Sequence, residues 1–112
     1  MQEKRKVAYS LDEETIIDID IIQFNESVKG NKKSKSQIIE DALIACFDIF
    51  EEELRAVDNI IYIPINFKKT IIQTYTISVD VANKLDYYAS ELGIKKSHLV
   101  LAGIAFMSEQ QN

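Results

Sequence analysis

The chain has 112 residues, of which 46% are hydrophobic and 28% are charged. This size fits one compact domain or two small units that bury each other, and it excludes a large catalytic domain with its own substrate domain. The longest apolar run, from Leu99 to Met107, is far shorter than the roughly 20 residues of a membrane-spanning helix. No apolar stretch follows the charged N-terminus, so no export signal is expected. We therefore expect a cytoplasmic protein without a membrane segment.

The charges are distributed unevenly along the chain. The net charge is −5, which by itself argues against a nucleic-acid partner. Four windows nevertheless contain eleven of the thirteen basic residues and only one acid: residues 1–8, 29–36, 68–78 and 95–98. A fold that gathers these windows would combine a basic face with an acidic body, and a polyanion responds to the local field. The alternative is that the windows are ordinary solvated loops.

The first half begins with a strand pattern and continues with a helix pattern. Residues 6–11 alternate strictly between polar and apolar, which predicts a strand with one buried face. Asp12 then offers a helix N-cap. Apolar residues at i, i+4, i+7 and i+11 predict the buried stripe of this first helix: Ile17, Ile21, Phe24 and Val28. An alternative interpretation takes residues 17–21 as the strand, but it leaves only about ten residues for the next helix.

A second helix and an apolar connector complete the first half. Gly30 and Asn31 interrupt the helical pattern, and either Ser34 or Ser36 can cap the next helix. One face of that helix is predicted to be apolar: Ile39, Leu43, Cys46, Phe50 and Leu54. The connector at 59–67 is too apolar for a free linker, and Pro64 restricts it to an edge strand or an extended cover. Its role stays open.

The second half repeats the same order. Residues 74–79 alternate, Asp80 offers an N-cap, and a buried stripe follows. The stripe consists of Val81, Leu85, Tyr88 and Leu92. Gly93 is predicted to end this helix and Ser97 to cap the last one. Counted from Asp12 to Ser36 and from Asp80 to Ser97, the first half is seven residues longer, either in its first helix or in the loop at 29–35.

These repeated residues resemble a known family. The resemblance is carried by residues 75–80 with 92–100, and by residues 7–12 with 35–43. An alternating strand that ends in apolar-Asp, a helix, and a Ser that opens an apolar helix resemble the ribbon-helix-helix superfamily of the Arc/MetJ/CopG type. Two copies in one chain are similar in layout to TraY-like tandem proteins. The units would span 1–57 and 71–112, joined by the connector at 58–70, with one joint core.

The resemblance implies an α+β, mainly α fold. It would be a tandem ribbon-helix-helix, two β-α-α units forming an intramolecular pseudo-dimer with a two-stranded antiparallel ribbon. It also implies sequence-specific binding of double-stranded DNA through this ribbon in the major groove. The biological role would be that of a transcriptional repressor or of a plasmid partition or relaxosome accessory protein. The operator sequence and the choice between these roles stay open.

Strand alternation assigns the two ribbon faces. The residues expected in the core are Val7, Tyr9, Leu11, Tyr75, Ile77 and Val79. The opposite face, expected to meet base edges, consists of Lys6, Ala8, Ser10, Thr74, Thr76 and Ser78. Strand starts and the N-termini of the second helices are expected to contact phosphates through Lys4, Arg5, Ser34, Lys35, Ser36, Lys95, Lys96 and Ser97.

The sequence offers little for catalysis. Its single histidine, His98, and its single cysteine, Cys46, lie far apart in predicted elements, and no Gly-rich phosphate loop or metal-ligand cluster is present. We expect no enzyme, no cofactor and no metal. The alternative to DNA binding is a protein-interaction module of the same fold, with a partner on the acidic surface or with self-association into higher oligomers.

Overall fold

A computed structural model describes residues 3–55 and 70–111. The predicted connector at 59–67, together with Lys68 and Lys69, lies outside these described residues. The fold is α+β and mainly helical, as predicted, and the order strand, helix, helix occurs twice. The elements are β1 (Lys4–Asp12), α1 (Glu13–Val28), α2 (Lys35–Arg55), β2 (Thr70–Ser78), α3 (Val79–Leu92) and α4 (Lys96–Gln110). No helix within the described ranges is long and apolar enough to cross a bilayer.

The two strands form an antiparallel ribbon. Lys4 lies opposite Ser78 at one end, and Asp12 lies opposite Thr70 at the other. The central pair is Ala8 and Thr74. Each strand has nine residues, so the ribbon is symmetric about this central pair. The second strand starts four residues before the predicted alternation because Thr70 to Gln73 are extended as well.

The helix caps define how the two halves correspond. Asp12 caps α1 as predicted, since its carboxylate accepts from the Thr15 N–H at 3.2 Å. The predicted cap Asp80 of the second half is wrong: the Ser78 hydroxyl accepts from the Val81 N–H at 3.3 Å, and Asp80 lies in the first turn of α3. Asp12 therefore corresponds to Ser78. The sequence had suggested that it corresponds to Asp80, two residues further along the chain.

Both halves contribute to one hydrophobic core. Tyr9, Leu11, Tyr75 and Ile77 are buried as predicted, and the centroids of the two tyrosine rings lie 6.4 Å apart. Val7 and Val79 are only partly buried, and Val79 begins α3 rather than ending the strand. Every helix adds fully buried side chains to the same cluster, among them Ile22, Ile39, Leu43, Leu85, Leu99 and Ile104.

The helices α2 and α4 approach each other closely at two small residues, Ala42 and Gly103. A Cβ atom at Gly103 would lie 3.3 Å from the Ala42 carbonyl oxygen. Ala42 and Gly103 are equivalent positions, since each lies seven residues after the first residue of its helix. A larger side chain at Gly103 would have to push the two helices apart.

The predicted buried stripe of α1 is wrong. Ile17, Ile21, Phe24 and Val28 are all exposed, and α1 instead buries Thr15, Ile19 and Ile22. The helix carries apolar side chains on two opposite sides. The elements β1, α2 and α4 pack against the side that carries Ile19 and Ile22. The alternative interpretation of residues 17–21 as a strand is also wrong, since they lie within α1.

The remaining helices bury the predicted faces. In α2, residues Ile39, Leu43, Cys46 and Phe50 are buried and Leu54 is partly buried. In α3, residues Val81, Leu85 and Tyr88 are buried, and Leu92 is partly buried. Gly93 ends α3 in the left-handed conformation, with φ of 68°, as predicted.

The first half is longer in both of the places considered. The helix α1 has 16 residues and α3 has 14, so two extra residues lie in the helix. The loop at 29–34 has six residues and the loop at 93–95 has three. Measured from the observed caps, the difference is five residues rather than seven.

Candidate nucleic-acid interface

Three cross-strand pairs form the outer face of the ribbon. The pairs are Lys6 with Thr76, Ala8 with Thr74, and Ser10 with Ile72. Lys6, Ala8, Thr74 and Thr76 are exposed, and Ser10 is half-buried. The structure therefore brings together five of the six side chains that the sequence assigned to base readout.

The sixth predicted base reader, Ser78, is not on this face. It is only 4% exposed, because it caps α3 and its N–H donates to the buried carboxylate of Glu40. Ile72 occupies the corresponding outer position instead and is 71% exposed. The alternation that continues upstream through Ile72, Gln73 and Thr74 could have identified it, had the halves been aligned on Asp12 and Ser78.

The second helix of each half is joined to the strand of the other half. The Ser36 hydroxyl at the start of α2 accepts from the Thr76 N–H of β2 at 3.0 Å. The Ser97 hydroxyl at the start of α4 accepts from the Ser10 N–H of β1 at 3.1 Å. These bonds occupy N–H groups that a two-stranded ribbon would otherwise leave unpaired at its edges. They also place the N-termini of α2 and α4 beside the ribbon.

The capping serines are only partly as predicted. Ser34 caps α2, since its hydroxyl accepts from the Gln37 N–H at 3.0 Å. Ser97 does not cap α4: the N-cap is Lys95, which makes no side-chain capping bond. Because Ser97 bonds to β1, the first N–H groups of α4 lack a side-chain acceptor from the cap, and such groups favour anions.

The lysines expected to contact phosphates form matching ion pairs in both halves. Lys35 lies 3.0 Å from Asp20, and Lys96 lies 3.0 Å from Asp86. Arg5 also contacts Asp86, at 2.8 Å. All of these side chains are more than one-third exposed, so each pair contributes little to stability and can exchange partners.

Other basic groups near the ribbon differ in their pairing. Lys4 lies 3.6 Å from the buried Glu40 carboxylate. Lys6 and Lys95 are exposed and have no ion-pair partner within residues 3–55 and 70–111. Lys6 on the outer face and Lys95 at the start of α4 therefore remain available to an anionic ligand.

The carboxylate of Asp86 is held in its charged form. Burial alone would raise its pKa, but the hydrogen bonds and positive charges of Arg5 and Lys96 outweigh burial and lower the pKa below its usual range. The same hydrogen bond, with the charge of Asp86, raises the pKa of Arg5. Asp86 and Arg5 thus both stay ionised at neutral pH.

One open groove lies at the start of α4, and a second lies at the start of α2. One has a volume of about 500 Å³ and is lined by residues that include Ala8, Asp86 and Lys95. The other, of about 530 Å³, is lined by residues that include Asp20 and Ser34. Asp20 corresponds to Asp86 and Ser34 to Lys95, so the two grooves occupy equivalent places at the starts of α4 and α2.

The two groups considered for chemistry lie in different helices, Cys46 in α2 and His98 in the first turn of α4. Burial raises the pKa of the Cys46 thiol to about 11, so the thiol is protonated at neutral pH. Burial, with the charge of Lys95, lowers the pKa of His98. In the described part of the chain, no group of three or more His, Cys, Asp or Glu side chains is placed to hold a metal ion.

Comparison with protein-family models, curated proteins and solved structures finds no match.

Proposed function

We propose that this protein binds double-stranded DNA sequence-specifically, with the β1–β2 ribbon in the major groove. We further propose that it is a tandem ribbon-helix-helix protein whose two β-α-α units form an intramolecular pseudo-dimer. Support comes from the equivalent caps, Asp12 and Ser78, and from the equivalent serine bonds across the halves. A two-stranded ribbon fits the major groove by size.

The outer face of the ribbon carries this proposal. Its exposed side chains are small or flexible, so the ribbon backbone can approach base edges closely. Lys6 can donate to guanine acceptors, and Thr74 and Thr76 can donate or accept. Ala8 and Ile72 can pack on thymine methyl groups. Lys6 corresponds to Ile72 in the other half, so the two half-sites would be read differently.

Phosphate contacts would come from the flanking helix starts. The N-termini of α2 and α4 present backbone N–H groups and the positive end of the helix dipole. Lys95 is available there, and Lys35 and Lys96 would exchange Asp20 and Asp86 for phosphate oxygens. We propose that it acts in the cytoplasm as a transcriptional repressor or as a plasmid partition or relaxosome accessory protein.

Selection from a random DNA pool, followed by fluorescence anisotropy, tests the proposal. At about 200 mM salt, we expect the selected sequence to bind at least about 1,000-fold more tightly than random DNA. Lys6→Ala should weaken selected binding about 5- to 150-fold. Lys84→Ala is the matched control, because Lys84 lies over the Phe47 ring and is not part of the outer face of the ribbon. Equal losses for both variants, or no selected sequence, would contradict the proposal.

One observation favours a second function, a protein-interaction module without DNA binding. The net charge is −5, and Lys4, Arg5, Lys35 and Lys96 already contact carboxylates. If this function is correct, DNA should fail to bind even at about 50 mM salt, where electrostatic binding is strongest. The variants Asp20→Asn and Asp86→Asn, which release Lys35 and Lys96 from their ion pairs, would then also fail to bind DNA.

A further inference from the structure

The helix α1 has an exposed apolar side that is not part of the core formed by residues 3–55 and 70–111. Ile17, Ile21, Phe24 and Val28, named here the α1 stripe, are between 49% and 71% exposed. At 100° per residue they share one side of the helix, opposite Ile19 and Ile22 in the core. Four adjacent large apolar side chains in a row are unusual on a surface without a partner.

The other half of the molecule lacks this feature. Counted from the helix caps, the corresponding positions are Asn83, Tyr87 and Ser90 of α3 and Ile94, which follows its end. Only Tyr87 is a large exposed hydrophobic residue, and Ile94 packs against the core. The α1 stripe is therefore a property of the first half alone.

The charges around the α1 stripe are complementary to those of a second copy when the two helices are antiparallel. The acids Glu13, Glu14 and Asp18 lie in the first half of α1, where Asp20 is already paired with Lys35. Lys29 and Lys32 follow its end. Two α1 helices side by side in antiparallel orientation would set the acidic end of each against the basic end of the other. A parallel arrangement would set like charges together.

We propose that the α1 stripe binds the α1 stripe of a second copy of this chain, with the helices antiparallel about a two-fold axis. Such an interface uses the same patch on both copies and is closed. Because the two-fold interface occupies the α1 stripe of both copies, association through this stripe stops at two copies. The proposal does not depend on DNA binding, and its test uses no DNA.

The size of the α1 stripe sets the expected affinity of the two copies for each other. A 16-residue helix is about 24 Å long and about 10 Å wide, so each copy buries a few hundred Å². That is below the roughly 800 Å² per partner of a stable complex. We therefore expect a dissociation constant between about 10 µM and 1 mM.

Sedimentation equilibrium of the full chain tests the interface. From about 10 µM to about 1 mM, the wild-type weight-average mass should rise toward that of two copies. Ile21→Glu should remain monomeric over this range. Ile44→Glu is the matched control, since Ile44 on α2 is 55% exposed and Ile21 is 50% exposed. Thermal unfolding of both variants verifies that they fold.

A charge exchange tests the antiparallel orientation. Glu14→Lys and Lys32→Glu should each weaken self-association about 3- to 10-fold, because each places like charges together. An equimolar mixture of the two variants should associate more tightly than either variant alone, because the heterodimer pairs opposite charges at both ends.

Two results would overturn the proposal. One is a wild-type chain that stays monomeric throughout this concentration range. The other is an equal loss of association in Ile21→Glu and Ile44→Glu, which would place the interface elsewhere.

Discussion

The two halves of the molecule agree at the ribbon and differ on the outer sides of their first helices. Each half contributes a buried tyrosine, Tyr9 or Tyr75, and a serine that bonds to the opposite strand. Each also pairs an aspartate of its first helix with a lysine of its second. Positions at the shared core and ribbon edge are thus constrained by symmetric packing, whereas the outward positions of α1 and α3 are free to diverge.

One exception lies inside the symmetric region. Glu40 of α2 is buried, accepts from the Ser78 N–H and lies 3.6 Å from Lys4. Its counterpart in α4, counted from the helix starts, is Leu101. The symmetry therefore breaks at this polar contact, and the following substitutions test where the halves are equivalent and where they are not.

The largest effect is expected from Tyr9→Asp and Tyr75→Asp. Both place a charge in the joint core, and each should cost at least about 4 kcal/mol of unfolding free energy, enough to unfold much of the protein. Circular dichroism during urea titration would measure it. A protein that tolerates one substitution but not the other would show that the halves do not depend on a common core.

Glu40→Ala should have the next largest effect. It leaves the buried N–H of Ser78 without its acceptor, at about 1–3 kcal/mol. Glu40→Gln keeps an acceptor oxygen and should lose less, which separates the hydrogen bond from the ion pair with Lys4. Equal losses in the two variants, measured by urea unfolding, would assign the effect to the charge instead.

Ser36→Ala and Ser97→Ala should have smaller and similar effects. Each removes one hydroxyl acceptor from a strand N–H, at about 1 kcal/mol. Amide hydrogen exchange read by NMR should show faster exchange at Thr76 in the first variant and at Ser10 in the second. Exchange that accelerates at neither amide would contradict the proposed edge bonds.

The smallest effect is expected from Asp86→Asn, and it should depend on pH. The folded-state pKa of Asp86 is lowered, so its stabilisation is complete above the unfolded pKa of about 3.9 and is lost as pH falls through the folded pKa. Solvent screening limits it to less than about 1 kcal/mol. Unfolding free energies of the variant and wild type should therefore differ at pH 6 and converge under strong acid. A constant difference would contradict this origin.

Sequence periodicity predicted the faces of most elements because each has one apolar side. Tyr9, Leu11 and Ile77 alternate with polar residues, and α3 has a single stripe, so only one orientation buries them. In α1, isoleucines occur on both sides, and periodicity alone cannot decide which side meets the core. Only the packing of β1, α2 and α4 against Ile19 and Ile22 settles it.

The errors at the candidate site have a related cause. Ser78 and Asp80 are both good N-caps, and a shift of two residues preserves strand alternation. Most of the core face was therefore predicted correctly. The predicted outer face wrongly included Ser78 and omitted Ile72. The bonds of Ser36 and Ser97 to opposite strands join residues 40 and 87 positions apart, which local patterns do not report.

The ribbon register also has a consequence for biosynthesis. Lys4 pairs with Ser78, and the core includes Ile104, so the first half cannot complete its packing until nearly the whole described chain has been synthesised. At about 5–20 residues per second, the ribosome needs roughly 2–10 s to proceed from Arg55 to Ile104. During that interval the apolar side chains of β1 and α2 lack their partners from the second half. The nascent first half is thus the stage at which this protein is most exposed to aggregation and to chaperone capture.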